Sequence, residues 1–306
     1  MSHARKLIAG ATLGLALLGA ALYAPADSAD KAKGTKVALV PPERSSPGAL
    51  ANRPAPARTN NGEYVFGAPP GGSFAEQAAM YEPIAEFLTR VSGKRFVFRY
   101  SDNWLSYSRD MTSEAYDLVF DAAALNSWRI ERINHAPLLR LSGETVYLVV
   151  GRADNSKIRE LKQLAGHGVC APLPPDVATL ALLSQFNNPA RQPVIVETTN
   201  WDAMYKNLSS GKCSGAMITR QHLDRIDRNL VKVLHRHNAM PNHALSAGPR
   251  ISPELQAVIR QTLVTPQGKL ATAKLRAAHN AEELVPARGE DYAGLGKLLK
   301  NSPYYY

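Results

Sequence analysis

The sequence predicts a two-lobed α/β body, each lobe a mostly parallel sheet flanked by helices, with a cleft between the lobes. Three observations carry this. A strand, a glycine-rich turn, a helix and a second strand follow one another over 64–100, a βαβ order that implies parallel pairing. The same alternation starts afresh after the β-forming run 146–150. The body is ~240 residues long, which exceeds the usual single core and suits two lobes of roughly 100 residues or more.

In the first lobe, 64–66 is a short β-type run ending in Gly67-Ala68-Pro69-Pro70-Gly71-Gly72. Ser73 and Glu76 then make a capping box. Ala78, Tyr81, Ile84, Ala85 and Leu88 recur at helical spacing, and Gly93 stops the helix. The spacing predicts a strand at 96–100, a helix within 101–114, and a buried strand at 116–120. Asp121-Ala122-Ala123 opens a helix through Trp128 and Arg132. The run 146–150 is where the chain crosses over.

The second lobe reads as a short helix 156–164, a strand 168–171, a proline-stiffened turn 172–176 and an apolar helix 178–186. A strand 194–197, a helix 200–208 and a turn and strand 211–218 follow. Segments 231–234 and 243–247 are candidates for the return crossing. Ser252, Pro253 and Glu254 start a helix with an N-cap and a first-turn proline, and the tail to Tyr306 is helical.

Ahead of the body, Arg5 and Lys6 precede the apolar run 7–24, with small residues Ala24-Pro25-Ala26 before Asp27. Residues 1–29 therefore read as a signal peptide, cleaved in preference to being retained as an anchor. No cysteine follows the run to take a lipid. Residues 30–62 scatter Pro41, Pro42, Pro47, Pro54 and Pro56 among Ala, Ser, Arg and Asn, and read as a disordered Pro/Ala-rich linker. The division is then 63–146 plus about 243–306 for the first lobe and 147–242 for the second.

The composition is 45% hydrophobic and 20% charged, with a net charge of +10. The basic residues are dispersed and the leader points to export, so a solvated basic surface is expected and nucleic acid is not a partner. Cys170 and Cys213 fit either one disulfide in an oxidising compartment or two buried thiols. The glycine-rich turn lacks the Gly-Lys-Ser/Thr ending of a nucleotide loop, and no Gly-x-Ser-x-Gly elbow occurs. His235, His237 and His243 have no carboxylate or cysteine at ligand spacing. The expectation is a non-enzyme with no cofactor and no metal.

In the order of its segments the chain resembles the phosphonate and phosphite substrate-binding proteins of ABC transporters, a branch of the class II periplasmic binding protein fold. The likeness rests on Phe66-Gly67 with Pro69, Tyr81 with Pro83, Tyr116-Asp117, and Ser156, Ile158, Leu161 and Leu164 before Gly166. Asp202, Leu208, Gly211, Ser252-Pro253-Glu254-Leu255 and Asp291-Tyr292 complete it. The resemblance implies hinged lobes closing on a ligand, with helix starts at Ser73, Asp121, Asp176 and Asn200 aimed into the cleft, where N–H groups suit an oxyanion.

This sequence departs from the family at the site. Asp176-Val177-Ala178-Thr179 stands where the family has a Ser/Thr run, Trp201 where it has a histidine, and Ser214 where it has an acidic residue. The candidate ligand-binding residues are Ser73, Tyr81, Trp104, Asp121, Asp176, Thr179, Asn200 and Trp201. Trp104 and Trp201 fit either a cleft wall or ordinary core packing; in the cleft they suit an organic amine or aromatic molecule over an oxyanion. The implied function is a periplasmic solute-binding component of an ABC-type uptake system that docks on a membrane permease. The rival is a ligand-sensing or accessory subunit of the same fold on a membrane sensor or redox complex.

Overall fold

The computed structural model describes residues 62–198 and 200–301. The leader 1–29 and most of the linker 30–62 lie outside the described residues, as do the last five residues of the tail.

The first half of the chain runs β1 (Glu63–Gly67), α1 (Phe74–Ser92), β2 (Arg95–Arg99), α2 (Trp104–Thr112) and β3 (Leu118–Asp121). Next come α3 (Ala123–Ile133), β4 (Ala136–Leu141), the two-residue β5 (Glu144–Thr145) and β6 (Tyr147–Arg152). β7 (Gly168–Ala171), α4 (Val177–Leu183), β8 (Val194–Glu197), α5 (Trp201–Ser209), β9 (Gly215–Thr219), the single turn α6 (Arg220–Leu223) and β10 (Val231–Arg236) follow. The chain closes with β11 (Met240–Pro241), β12 (Ala244–Ala247), α7 (Pro253–Leu263), α8 (Pro266–Ala271), α9 (Ala273–Ala278) and β13 (Leu284–Pro286). No described helix is long and apolar enough to cross a membrane.

Two sheets result. One has the order β13-β4-β12-β3-β1-β2, the other β10-β6-β9-β7-β8. The chain passes between them twice, and the two passages pair with each other as the antiparallel ladder β5–β11, Met240 opposite Thr145. A short paired double crossing suits a hinge, because backbone rotation there swings whole lobes while leaving their cores packed.

The βαβ reading holds for β2-β1-β3 and β8-β7-β9, which are parallel. The remaining strands join antiparallel, because the crossing chain enters each sheet from the opposite end. β4 and β13 were not anticipated: β4 follows Asn134 and contains Pro137, and β13 ends in Pro286, both weak strand sequences that tertiary pairing overrides. The predicted helix 156–164 is a correction. Only Leu161–Leu164 is helical, and as a 3-10 turn, since Ile158, Leu161 and Leu164 recur at intervals of three. The tail likewise mixes three helices with β13 instead of being helical throughout.

α1 forms where the sequence calls for it. The Ser73 hydroxyl accepts from the Glu76 N–H while the Glu76 carboxylate accepts from the Ser73 N–H, and Gly93 ends the helix with φ 65°, a conformation cheap only for glycine. Tyr81, Ile84, Ala85, Phe87 and Leu88 bury one face against Phe66, Phe96 and Phe120 of the sheet. Each large apolar side chain so buried contributes ~1.5–3 kcal/mol.

At the centre of the first sheet Asp121 carries a buried charge. Arg129 Nε donates to its Oδ2 at 2.6 Å, the Tyr107 hydroxyl donates to its Oδ1 at 2.6 Å, and Arg129 Nη2 donates to the Tyr107 oxygen at 2.9 Å. All three side chains are essentially inaccessible. Asp117 plays a similar part at the other end of β3, accepting from the Val65 N–H at 2.7 Å and pairing with Arg250 at 3.1 Å. In the second lobe Cys170 of β7 and Cys213 before β9 are joined by a disulfide, with Cα atoms 5.7 Å apart.

Two stability predictions follow from these features. Asp121→Ala leaves Arg129 buried and unpaired and costs ~3–5 kcal/mol, whereas the double change Asp121→Leu with Arg129→Met recovers most of that. Urea denaturation of both variants is the check, and equal losses would contradict it. Replacing Cys170 and Cys213 by alanine opens a loop of 43 residues and lowers stability by ~2–4 kcal/mol, read as a matching loss in wild type on adding reductant.

Candidate functional site

Residues that follow the C-terminal ends of β1, β3 and β7 line one pocket, the kind of position at which open α/β sheets hold ligands. A pocket of about 250 Å³ lies there. The first lobe supplies the turn after β1, the inner face of α1 through Gln77, Met80 and Tyr81, Trp104 at the start of α2, and the β3–α3 corner. The second lobe supplies Pro175, Asp176 and Val177 at the start of α4. His243 and His279 close one side.

Local sequence explains each wall. Gln77 falls on the apolar stripe of α1 and is 2% exposed. Its Nε2 donates to the carbonyls of Pro69 (3.2 Å) and Gly71 (2.8 Å), which pins the proline turn and fixes the amide's orientation, since a flip would face oxygen with oxygen. The Gln77 Oε1 is then a buried acceptor without a partner. Tyr81 stacks on Phe98 at 5.0 Å and meets Phe66 edge-on at 5.6 Å. Burial, and then the Asp121 charge, push its phenol up. Trp104 stands edge-on to Tyr107 at 5.8 Å.

Asp176 is the half-buried N-cap of α4, its Oδ1 accepting from the Ala178 N–H at 2.9 Å. Burial pushes its carboxyl up, against the N–H groups of Ala178 and Thr179, which favour the carboxylate. His243 and His279 lie 4.5 Å apart, both against Phe120. Burial holds His279 down to about 4, and burial together with His279 holds His243 well below the usual range.

Of the predicted site residues, Tyr81, Trp104 and Asp176 meet in this pocket. Five do not. Asp121 does not cap α3, which begins at Ala123 behind Ala122 with no side-chain cap; both carboxylate oxygens are spent on Arg129 and Tyr107, so it cannot reach a ligand. Thr179 is buried, and its hydroxyl donates to the Pro172 carbonyl at 2.6 Å, tying down the turn before α4. Ser73 is exposed and engaged with Glu76. Asn200 and Trp201 line a separate pocket of about 490 Å³ within the second lobe. There Trp201 stacks on His222 with ring centroids 3.3 Å apart, and the Thr219 hydroxyl lies 2.6 Å from His222 Nδ1.

Gln77, Met80, Phe120, His243 and His279 were missed. A glutamine in the stripe shared by Tyr81, Ile84 and Leu88 is a legible sign of a buried polar role. His279, beyond α9, gives no local signal. Among the described residues no cluster of His, Cys, Asp or Glu could hold a metal ion.

Two lobes joined by a paired double crossing, with a small polar-edged pocket at the strand ends between them, define a periplasmic binding protein. The chain matches the family described as ABC transporter, phosphonate, periplasmic substrate-binding protein over residues 66–292, and it belongs to that family. Its fold is that of XAC2383 from Xanthomonas citri bound to ATP, with a TM-score of 0.60 and 13% identity over 79% of this chain and 99% of that one. PhnD1 from Prochlorococcus marinus in complex with methylphosphonate is similar at a TM-score of 0.59 and 12% identity, covering 79% of this chain and 98% of that one. No curated protein matches.

The histidines yield a pH prediction. Burial holds His222, His237 and His279 down to about 4 in the folded chain against 6.5 for an ordinary imidazole, and it holds His135 and His243 well below 6.5 as well. A depressed folded value means that the unfolded chain takes up protons first. Stability is therefore complete above about pH 6.5 and is lost as pH falls from there toward 4. Thermal midpoints should fall between pH 6.5 and 5, above the carboxylate range, and His279→Phe should flatten that slope; a level profile in wild type would contradict the assignment.

Proposed function

We propose that this chain is the solute-capturing component of an ABC-type uptake system, holding a small molecule between its lobes and presenting it to a membrane permease. The observation that carries the reading is the pocket itself, walled by Tyr81 and Trp104 from one lobe and Asp176 from the other. A ligand touching both walls favours the closed state by its differential contacts, and closure about the β5–β11 ladder is then the signal the permease reads.

In this reading 1–29 is a cleaved signal peptide, 30–62 a tether, 63–146 with 243–306 the first lobe and 147–242 the second. The protein works in the periplasm, binds and releases without chemistry, and needs no cofactor. The fold is shared by a protein bound to ATP and one bound to methylphosphonate. Ligand chemistry must accordingly be sought in this chain's own residues.

Native mass spectrometry of the full-length gene product, purified from the periplasm of its host, tests this. The expected spectrum has a mass short of the leader and a co-purified small molecule that Trp104→Ala releases. Full-length mass with no bound molecule would count against it and favour the sensor or accessory reading.

A further inference from the structure

Two covalent crossings join the sheets, and the end of the chain adds a noncovalent link between the lobes. After β13 the chain makes two 3-10 turns, Gly289–Tyr292 and Leu295–Asn301. The first lobe anchors them at three points. Tyr292 is fully buried, and its hydroxyl donates at 3.1 Å to the carbonyl of Asn242, the residue that follows the crossing strand β11. The Gly294 N–H donates at 3.1 Å to the Glu131 carboxylate of α3. Gly296 lies so close to α3 that a Cβ there would stand 3.3 Å from the Trp128 backbone nitrogen.

From this anchorage the second turn reaches across to α4 of the other lobe. α4 is apolar on two faces. Ala178 and Leu182 pack into their own sheet with Val149, Val169, Ala171 and Met217. Val177, Leu180 and Ala181, spaced i, i+3 and i+4, instead join one cluster with Leu295, Leu298 and Leu299 of the tail and Ala123 and Ala124 of α3. Val177, Leu180, Ala181 and Leu299 are between 1% and 5% exposed, so the seam is dry. A rotation about the β5–β11 ladder that draws α4 away from the first lobe wets these side chains, and the hydrophobic effect opposes it. The start of the same helix, Asp176 and Val177, walls the interlobe pocket, so whatever holds α4 also holds that wall.

We propose that residues 289–301 are a strap that holds α4 against the first lobe, so that the lobes rest together by an apolar seam before any solute arrives. The strap sets the resting balance between closed and open lobes. A pocket that is already assembled in most molecules binds with little loss of apparent affinity, and one that must first be assembled binds more weakly. This inference rests on the reading of the two lobes as hinged at the β5–β11 ladder.

The test is double electron–electron resonance on the ligand-stripped protein, with spin labels at Glu86→Cys on α1 and Lys206→Cys on α5, both exposed positions. Cys170 and Cys213 are joined to each other and leave the label no other thiol. The labelled chain with an intact strap should give one narrow distance. Leu299→Asp should add a longer-distance population of about a third or more of the molecules, while Leu299→Met keeps the narrow distance. Urea unfolding checks that each variant still folds cooperatively; if Leu299→Asp does not, Leu299→Ala and Leu180→Ala carry the same expectation with no buried charge. An unshifted narrow distance in the folded variants overturns the strap, and so does an intact chain whose distances are already as broad as theirs. Neither result touches the solute-capture reading, which the co-purified molecule tests separately.

Discussion

The pocket depends on a charge that never meets solvent. Asp121 ends the central strand of the first sheet, and its two oxygens hold Tyr107 of α2 and Arg129 of α3. Burial by itself disfavours the charge on Arg129; Tyr107 and Asp121 more than offset it, and the guanidinium is held above its usual range. The three groups neutralise and orient one another where water cannot. The starts of α2 and α3 are thereby set against β3, which brings Trp104 and Ala122 to the pocket wall. A loose Arg129 would free the corner on which the open start of α3 stands.

The second lobe uses different means to the same end. Its sheet is shorter, and the disulfide ties β7 to the approach to β9, two strands already paired in parallel. Thr179 and the prolines 172, 174 and 175 hold the turn that carries Asp176, so that a single carboxylate is delivered from a rigid loop. The first lobe thus contributes a broad aromatic wall and the second a point of charge. Such a division suits a hinge, because a rigid point contact made late in closure distinguishes the closed state sharply from the open one.

Much of this order was legible. α1 announces itself by its capping box, its apolar stripe and its glycine stop, and the parallel halves of both sheets follow from strand–helix alternation. What was illegible is non-local. Asp121 before two alanines reads as a helix cap, since local rules reward an Asp there; its real partner is Arg129, two helical turns on, with Tyr107 from an earlier helix. The family resemblance implied a cleft position for Trp201, yet a histidine that follows β9, His222, stacks on it within the second lobe. In both cases a side chain with a sound local role was claimed by a partner that only the fold brings near.

The same competition decides the chemistry of the pocket. A helix start facing a cleft is an anion site only if nothing in the chain has taken its N–H groups. Side chains cap the starts of α1, α2 and α4, from Ser73 with Glu76, from Asn103 and from Asp176, whereas α3 begins without such a cap, so fewer N–H groups face the pocket unoccupied than the family resemblance implied. Asp176 illustrates the exchange most directly. Its Oδ1 satisfies Ala178 and so withdraws α4 from anion binding, while the carboxylate brings negative charge to the pocket edge. One residue thereby occupies N–H groups at the start of α4 and sets a carboxylate beside them. Specificity is a difference between affinities, and a single substitution that moves both sides of that difference can redirect a binding fold without altering its architecture.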